Sequence, residues 1–247
     1  MENSKNYTYK TKSVGNLVGI YVYDEVTSTN DILKEGNYKP FDVVIAKKQT
    51  KGRGRGGNTF VSESGGLYMS ILVPSGDNAD YITPLAGCAV ARVLIDFGLE
   101  PKIKWVNDVF VGGKKICGIL AEKIERDGIA YIVLGIGLNV NNVNFGEFSH
   151  IATSMKNEKA AVYKNSEVAA ALIDALAVLL KKGIKREIID FYREHSCVIG
   201  KRITVSGRTE EVTAEGIDAD GRLIIRTDRG ESKTISSGSI SVCGGYV

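Results

Sequence analysis

The chain has 247 residues, of which 43% are hydrophobic and 25% charged, and its 32 basic and 29 acidic residues give a formal net charge of +3. This composition is typical of a globular protein with one sizeable core and room for a small second domain. The small net charge argues against a protein that mainly coats nucleic acid, because it provides no bulk attraction to phosphate backbones. A local basic site remains compatible with it.

The sequence predicts a cytoplasmic protein that has no structural metal and does not cross a membrane. Residues 1–5 are polar and lead into no apolar signal segment. The longest apolar stretch, 169–180, contains Asp174 and is too short to span a bilayer. The four cysteines form no C-x-x-C pair, which disfavours structural zinc and a disulfide scaffold, and two histidines are too few for a His-rich metal site.

Strands and helices are expected to mix over the first 195 residues. Apolar and β-branched runs between turn residues predict strands at 18–24, 42–48, 67–73, 103–106, 115–124 and 129–140. Apolar residues at helical spacing, bounded by capping residues, predict helices from Ser28 to Gly36 and over 81–97, 166–182 and 185–195. The strands at 103–106 and 115–124 are expected to flank a Gly112-Gly113 turn.

Beyond Gly200 the pattern changes to closely spaced strands and turns. Short strands are predicted at 201–205, 211–217, 222–226 and 232–235, which indicates a small β-barrel. We therefore expect an α+β protein with a mixed domain over 1–198 and a β domain over 199–247. Fewer than twenty residues precede the first predicted strand, so a helix-turn-helix module is not expected there.

A glycine–arginine loop, Gly52-Arg53-Gly54-Arg55-Gly56-Gly57, follows the second predicted strand. Its G-x-G-x-x-G pattern formally suggests a dinucleotide site, but no amphipathic helix follows to receive a pyrophosphate. Glycines expose backbone N–H groups to a ligand, and the interleaved guanidiniums can bind phosphate or carboxylate oxygens. The loop therefore indicates a phosphate-bearing ligand, with a flexible solvated linker as the alternative.

Three further segments carry motifs that have both a functional and a structural explanation. Lys104-Trp105-Val106-Asn107-Asp108 offers an amide and a carboxylate to a nucleotide or Mg²⁺, or forms an Asn-Asp turn beside a core tryptophan. Lys115, ahead of an apolar strand, is either a cation in a cleft or a solvated edge-strand lysine. The glycines of 135–141 indicate close approach by a ligand or by a second packed sheet.

The order of these motifs closely resembles that of the biotin–protein ligases. The resemblance is carried by Ser28-Thr29-Asn30, Gln49, Gly52-Arg53-Gly54-Arg55, Lys104-Trp105-x-Asn107-Asp108, Lys115-x-x-Gly118-Ile119-Leu120 and Gly135-x-Gly137-x-Asn139. It continues through Ala152-Thr153-Ser154 into the C-terminal β domain, so it covers nearly the whole chain.

The resemblance implies a mixed-sheet catalytic domain of the class II aminoacyl-tRNA synthetase type, followed by an SH3-like β-barrel. It implies an enzyme that uses Mg·ATP to convert biotin to biotinyl-5′-AMP and then transfers biotin to a lysine on the biotin acceptor domain of a carboxylase. Both steps build negative charge on phosphate oxygens, so fixed cations and N–H groups are the expected catalytic groups. A loop that closes over the adenylate would protect it from hydrolysis. A homodimer is compatible with the resemblance, whereas DNA binding is not expected.

The resemblance also assigns roles to individual residues. Lys115 and Arg53 are expected to be catalytic. The expected contacts of biotin are Ser28, Thr29, Asn30, Gln49, Gly52, Arg53, Gly54, Arg55, Lys115 and Gly118. The expected contacts of ATP are Arg53, Arg55, Phe60, Trp105, Asn107, Lys115 and Asn139, with Asn107 and Asp108 near its Mg²⁺.

The chain departs from the family pattern just after the loop. The family usually has an Arg and a Trp where this chain has Asn58 and Phe60. Phe60 can still stack on a ring, but Asn58 supplies no fixed charge, so adenylate retention or ATP affinity is expected to differ.

Two other functions fit parts of the sequence. A lipoate–protein ligase would share the catalytic fold, although the Gly-Arg-Gly-Arg run is the biotin-ligase form. A non-enzymatic nucleic-acid-binding module would use the barrel and the basic loop. The small net charge and the lack of clustered aromatic residues count against this module.

Overall fold

An eight-stranded mixed sheet organises the first domain of this computed structural model, which describes residues 5–10, 17–76, 79–183 and 185–243. Its strands are β1 (Lys5–Lys10), β2 (Leu17–Val26), β3 (Val43–Gln49), β4 (Leu67–Pro74), β5 (Lys102–Lys104), β6 (Asp108–Val111), β7 (Lys114–Arg126) and β8 (Ile129–Leu138). They lie in the order β1-β2-β3-β4-β8-β7-β6-β5. Only β2 and β3 pair in parallel, and every other neighbouring pair of these strands is antiparallel.

Helices cover both faces of this sheet. They are α1 (Thr29–Glu35), α2 (Ile82–Asp96), α3 (Met155–Lys159), α4 (Asn165–Lys182) and α5 (Arg186–Glu194). Because side chains alternate along a strand, Val43 and Ile71 belong to the core that includes α2 and α4, whereas Val44 and Leu72 pack with Leu33 of α1. The short helix α1 therefore lies alone on one face and leaves part of that face open.

The C-terminal residues form a separate five-stranded antiparallel sheet. Its strands are β9 (Arg202–Val205), β10 (Val212–Ile217), β11 (Leu223–Arg226), β12 (Ser232–Ile235) and β13 (Ile240–Val242), and their order is β12-β11-β10-β9-β13. Hydrogen bonds connect this C-terminal domain to the first domain. Trp105 donates its indole N–H to the Gly221 carbonyl at 3.1 Å, and Arg193 donates to the Ile217 carbonyl at 2.8 Å. The α+β class expected from the sequence is confirmed, while the boundary at 198–199 stays a prediction.

Local sequence signals placed most of the elements within a few residues. The first helix follows Ser28 and ends at Gly36, as expected from its capping residues. The next helix begins one residue later than predicted, at Ile82, and is followed by Gly98 at a φ of 79°. A left-handed residue just past a helix favours glycine because it has no Cβ to clash.

The segment around the tryptophan differs from the prediction of one strand over 103–106. The strand stops at Lys104, residues 105–107 form a turn, and a second short strand, β6, begins at Asp108. Gly112 and Gly113 both have positive φ, at 57° and 77°, and connect β6 to β7 as a tight hairpin. The prediction missed β6 because four residues are too few to show a period. It also missed β1, α3 and β13, which have three to six residues.

Neither a disulfide nor an apolar helical span occurs among the described residues. Cys88, Cys117 and Cys197 are buried free thiols, and Cys243 is a partly exposed one. Burial raises the pKa of Cys88 to about 12 and that of Cys197 to about 11. Within the part of the chain that the structure describes, no helix is both long and apolar enough to cross a membrane.

Candidate active site

A polar cleft of about 150 Å³ opens on the α1 face of the sheet. Gly118 of β7 pairs with Gly137 of β8, and Leu120 pairs with Gly135, so the Cα positions of all four residues belong to the same face of the sheet. The predicted site residues that line this cleft are Ser28, Thr29, Asn30, Gln49, Arg53, Gly54, Arg55, Phe60, Trp105, Asn107, Asp108, Lys115 and Gly118. Folding thus brings segments far apart in the sequence into one site.

One end of the cleft is a largely buried hydrogen-bond network at the start of α1, in which Gln49 is half-buried. The Thr29 backbone N–H donates to Gln49 Oε1 at 2.8 Å, and the Thr29 hydroxyl donates to the same oxygen at 3.1 Å. The Gln49 amide nitrogen donates to Ser62 Oγ at 2.8 Å. The Ser70 hydroxyl lies 2.7 Å from Thr29 Oγ1 and 2.6 Å from Asn30 Oδ1. Such fixed donors and acceptors suit a small polar ring.

Ser70 is a member of this network that the motif comparison did not identify. It is fully buried in β4, where its neighbours along the strand are apolar. A buried hydroxyl requires hydrogen-bond partners. A single serine inside an otherwise apolar strand could therefore have predicted, from the sequence, that polar side chains pack against β4.

The glycines of β7 and β8 make room for side chains of the site. A Cβ on Gly135 would lie 2.3 Å from Asn30 Oδ1, and one on Gly137 would lie 2.5 Å from the Phe60 ring. A Cβ on Gly118 would lie 3.0 Å from the same ring. Their small size therefore serves the cleft, and the alternative of a second packed sheet does not apply to this face.

The glycine–arginine loop is a closed hairpin. The Phe60 N–H donates to the Gly52 carbonyl at 2.9 Å, and the Gly54 N–H donates to the Asn58 carbonyl at 2.7 Å. A single 3₁₀ turn, Arg55–Gly57, forms the tip, where Gly56 has a φ of 63°. The side chain of Asn58 donates to the Arg55 carbonyl at 2.9 Å. The loop is thus held by its own hydrogen bonds, unlike a solvated linker, and no helix follows it.

Two cations stand at the other end of the cleft. The Lys115 ammonium forms an ion pair with Asp108 Oδ1 at 2.7 Å and lies 5.8 Å from the centre of the Phe60 ring. Arg55 Nη1 lies 3.3 Å from the Gly238 carbonyl of the C-terminal domain and 3.5 Å from Asn107 Oδ1. Cations in a partly enclosed cleft are suited to phosphate oxygens.

The structure places three of the predicted site residues differently from the rest. Gly52 and Asn139 do not line the cleft. Gly52 is buried at the base of the loop, where its carbonyl accepts the Phe60 N–H. Asn139 is also buried and donates its side-chain amide to the Thr153 carbonyl at 3.0 Å. Trp105 is almost fully buried, and its indole N–H is used by Gly221 of the C-terminal domain. The roles of these residues toward ligands stay predictions.

The pairing of Asp108 with Lys115 bears on the expected Mg²⁺ position. The described residues contain no group of three or more His, Cys, Asp or Glu side chains arranged to hold a metal ion. Mg²⁺ keeps several waters and is often bound through substrate phosphates, so it needs few protein ligands. The Asn107 amide oxygen lines the cleft, whereas the Asp108 carboxylate is already neutralised by Lys115.

Replacement of Trp105 by Phe is expected to destabilise the protein by about 1–3 kcal/mol, because the buried Gly221 carbonyl loses its donor while the aromatic packing is kept. Denaturant-induced unfolding of the two proteins measures the difference. An unchanged unfolding midpoint would show that this hydrogen bond between the domains adds no stability.

The sequence is similar to that of known biotin protein ligases along most of its length. The model of the biotin/lipoate A/B protein ligase family matches residues 21–139, and that of the biotin protein ligase C-terminal domain matches residues 198–242. The bifunctional ligase/repressor BirA of Bacillus subtilis is 30% identical over 255 residues, which cover 96% of this chain and 77% of that protein. The biotin–[acetyl-CoA-carboxylase] ligase of Mycobacterium tuberculosis is 30% identical over 212 residues, covering 80% of this chain and 77% of the relative.

Solved structures give the same result. The biotin protein ligase of Aquifex aeolicus in complex with biotin and ATP superposes with a TM-score of 0.80 at 29% identity, covering 90% of this chain and 97% of that one. The Leishmania major enzyme in complex with biotinyl-5-AMP superposes with a TM-score of 0.62 at 25% identity, covering 88% and 98% of the two chains.

Proposed function

Because the chain belongs to the biotin protein ligases of the biotin/lipoate A/B protein ligase family, we propose that the cleft activates biotin with ATP and transfers it to a lysine of an acceptor protein. The protein is an ATP-dependent ligase, and the acceptor we expect is the carboxyl carrier domain of a biotin-dependent carboxylase. The relative from M. tuberculosis is named for an acetyl-CoA carboxylase acceptor.

In the first step, a carboxylate oxygen of biotin attacks the α-phosphorus of ATP. The new P–O bond gives biotinyl-5′-AMP, and the bond to the β-phosphate breaks to release pyrophosphate. Biotin's polar ring would lie at the Thr29–Gln49 network, because that end offers fixed donors and acceptors. Its carboxylate would then point toward Lys115, whose charge offsets the negative charge that develops at the α-phosphate. Mg²⁺ would enter with ATP, and the Asn107 side-chain oxygen in the cleft would be available to it as a ligand.

In the second step, the neutral ε-amine of the acceptor lysine attacks the acyl carbon of the adenylate. An amide bond forms, the bond to AMP breaks, and the amine's proton passes to solvent. A free carboxylate is a poor acyl donor, so the adenylate provides the leaving group that this step requires. The loop hairpin and Phe60 cover part of the cleft, which would limit hydrolysis of the adenylate by water.

One observation supports this proposal most strongly. The Thr29–Gln49 network, the glycine–arginine loop and Lys115 line a single cleft, although they come from separate parts of the chain. Fixed hydrogen-bonding side chains beside Thr29 and the cations Lys115 and Arg55 elsewhere in the cleft match a ligand with a polar ring and an acyl-phosphate group.

Exchange of radiolabelled pyrophosphate into ATP tests the proposed substrate. We expect exchange in the presence of biotin and none with lipoate or without an acid. Transfer is then measured by mixing the enzyme, ATP and labelled biotin with a purified carboxyl carrier domain. Exchange with lipoate but not with biotin would contradict the assignment, and exchange with neither would leave the cleft a binding site without ligase chemistry.

A further inference from the structure

Two carboxylates hold the side chain of Arg53. Its Nη2 atom lies 2.5 Å from Asp31 Oδ1 and 3.1 Å from Glu122 Oε2. Asp31 is in the first turn of α1, and Glu122 is on β7, so the two anions come from different elements of the α1 face. Arg53 therefore joins the glycine–arginine loop to both the helix and the sheet.

Glu122 is itself fixed in place by a second pair of contacts. Its Oε2 accepts a hydrogen bond from the Asn30 amide at 2.7 Å, and its Oε1 lies 2.6 Å from the Lys34 ammonium. Burial opposes ionisation of Glu122, but the hydrogen bonds from Asn30 and Lys34 and the charges of Lys34 and Arg53 outweigh it, so its pKa lies below the usual value. The carboxylate is thus ionised at neutral pH and cannot swing away without losing these partners.

The charges in this cluster balance. Arg53 and Lys34 are the cations, and Asp31 and Glu122 are the anions. The Arg53 guanidinium is thus matched by protein carboxylates and has little net charge to offer a phosphate. Arg55 differs, because the hydrogen-bond acceptors that the structure gives its guanidinium are neutral, an amide oxygen and a backbone carbonyl. A free positive charge at the phosphate end of the cleft therefore belongs to Arg55 rather than Arg53.

The same contacts connect Arg53 to the network at the start of α1. Asn30 donates to Glu122, and its Oδ1 receives the Ser70 hydroxyl beside Thr29. Displacement of Arg53 would remove one partner of Glu122 and so weaken the position of the carboxylate that accepts the hydrogen bond from the Asn30 amide. The loop and the polar end of the cleft are thus coupled through side chains.

We propose that Arg53 is a positioning residue, and that Asp31 and Glu122 act through it to hold the loop against the biotin end of the cleft. This inference rests on the proposed function and revises the role of Arg53 within it. Arg55 then offers the unmatched charge to the phosphates, beside Lys115, which has one carboxylate partner where Arg53 has two. Loss of the Arg53 contacts raises the KM for biotin and speeds adenylate escape, while the KM for ATP stays nearly constant.

Steady-state pyrophosphate exchange on Arg53→Gln, Asp31→Asn and the double variant tests this assignment. We expect each single variant to raise the KM for biotin about tenfold and to change the KM for ATP less than about twofold. The double variant is expected to be no worse than Arg53→Gln alone, because residues that act through one interaction are not additive. Asp31→Glu keeps the charge and should recover part of the loss.

Asp24→Asn is the matched control, since Asp24 forms an exposed ion pair with Lys47 on the strand β2 surface. It should leave both KM values unchanged. A rise in the KM for ATP with an unchanged KM for biotin in Arg53→Gln would overturn the proposal and assign this guanidinium to a phosphate. Additive effects in the double variant would show that Asp31 does not act through Arg53.

A second measurement needs no substrate and separates this inference from the ligase assignment. Hydrogen exchange of the amides of residues 52–60 is expected to accelerate in Asp31→Asn and Arg53→Gln, but not in Asp24→Asn. If the wild-type protein failed to use biotin, the ligase assignment would fail, while faster hydrogen exchange in the variants would still support the role of Arg53 in holding the loop. Unchanged hydrogen exchange in both variants would contradict that role even in an active enzyme.

Discussion

Lys115→Ala is expected to lower biotin-dependent pyrophosphate exchange by about 10²–10³-fold, the range found when one preorganised group facing a developing oxyanion is removed. Lys115 lines the cleft and is fixed by Asp108 at 2.7 Å, so its ammonium is held in position before the ligand arrives. Charge that develops at the α-phosphate would lose its fixed cation. The loss should appear mainly in kcat, measured at saturating biotin and ATP.

The ion pair with Asp108 makes a stability control necessary. Removal of Lys115 leaves a mostly buried carboxylate without this cation, which destabilises the folded state. The double variant Lys115→Ala with Asp108→Asn removes that unpaired charge, so it should recover stability without recovering exchange. Lys115→Arg, which keeps a cation, should retain more activity than Lys115→Ala. Near wild-type exchange in Lys115→Ala would show that this lysine is not catalytic.

Gly52→Ala is expected to reduce kcat/KM for biotin by at least about 100-fold, since misplacing a binding group by about 1 Å can cost that much. An added Cβ would lie 2.3 Å from the Phe60 carbonyl oxygen and 2.4 Å from Ser62 Oγ. The first of these atoms belongs to the backbone, so the hairpin must open or shift. Gln49, whose amide nitrogen would be 3.1 Å from the new methyl group, would be displaced with it.

Gly54→Ala is the matched control for this variant. It lies in the same loop with an extended φ of −116°, and the nearest atom to its added Cβ is 3.4 Å away. Exchange kinetics and calorimetric titration with biotin should therefore change far less in Gly54→Ala than in Gly52→Ala, although Gly54 also lines the cleft. Circular dichroism should show both variants folded, because residues 53–60, which would have to move, are partly or fully exposed. Equal losses in the two variants would mean that glycine is needed for flexibility and not for the close contact at Gly52.

Local signals in the sequence were sufficient for most of the fold. Capping at Ser28 and Gly36 and the helical spacing over 81–97 depend on neighbouring residues, so they could be read along the chain. Strands as short as β6 could not be predicted in this way, because two or three alternations of apolar and polar residues do not distinguish a strand from a turn. Their existence depends on pairing with a neighbour across a turn.

For the site, residue types and their order along the chain were enough to identify the chemical groups that are available. The glycine–arginine loop, Lys115 and the Ser28-Thr29-Asn30 segment were identified from their residue types and their resemblance to the biotin–protein ligases, and all of them reach the cleft. Glycines at 135 and 137 were recognised as points of close approach, although what approaches them was not determined.

The pairing of charged side chains could not be predicted before the fold was known. Asp108, which was expected near Mg²⁺, is paired with Lys115, and Arg53, which was expected at both biotin and ATP, contacts Asp31 and Glu122. Their roles toward the ligands stay predictions. Glu122 is 69 residues from Arg53 in the chain, and its position depends on the register of β7 against β8. A shift of one residue would turn this carboxylate to the opposite face of the sheet. The partners of a charged side chain therefore follow from strand register and sheet order, which local sequence does not encode.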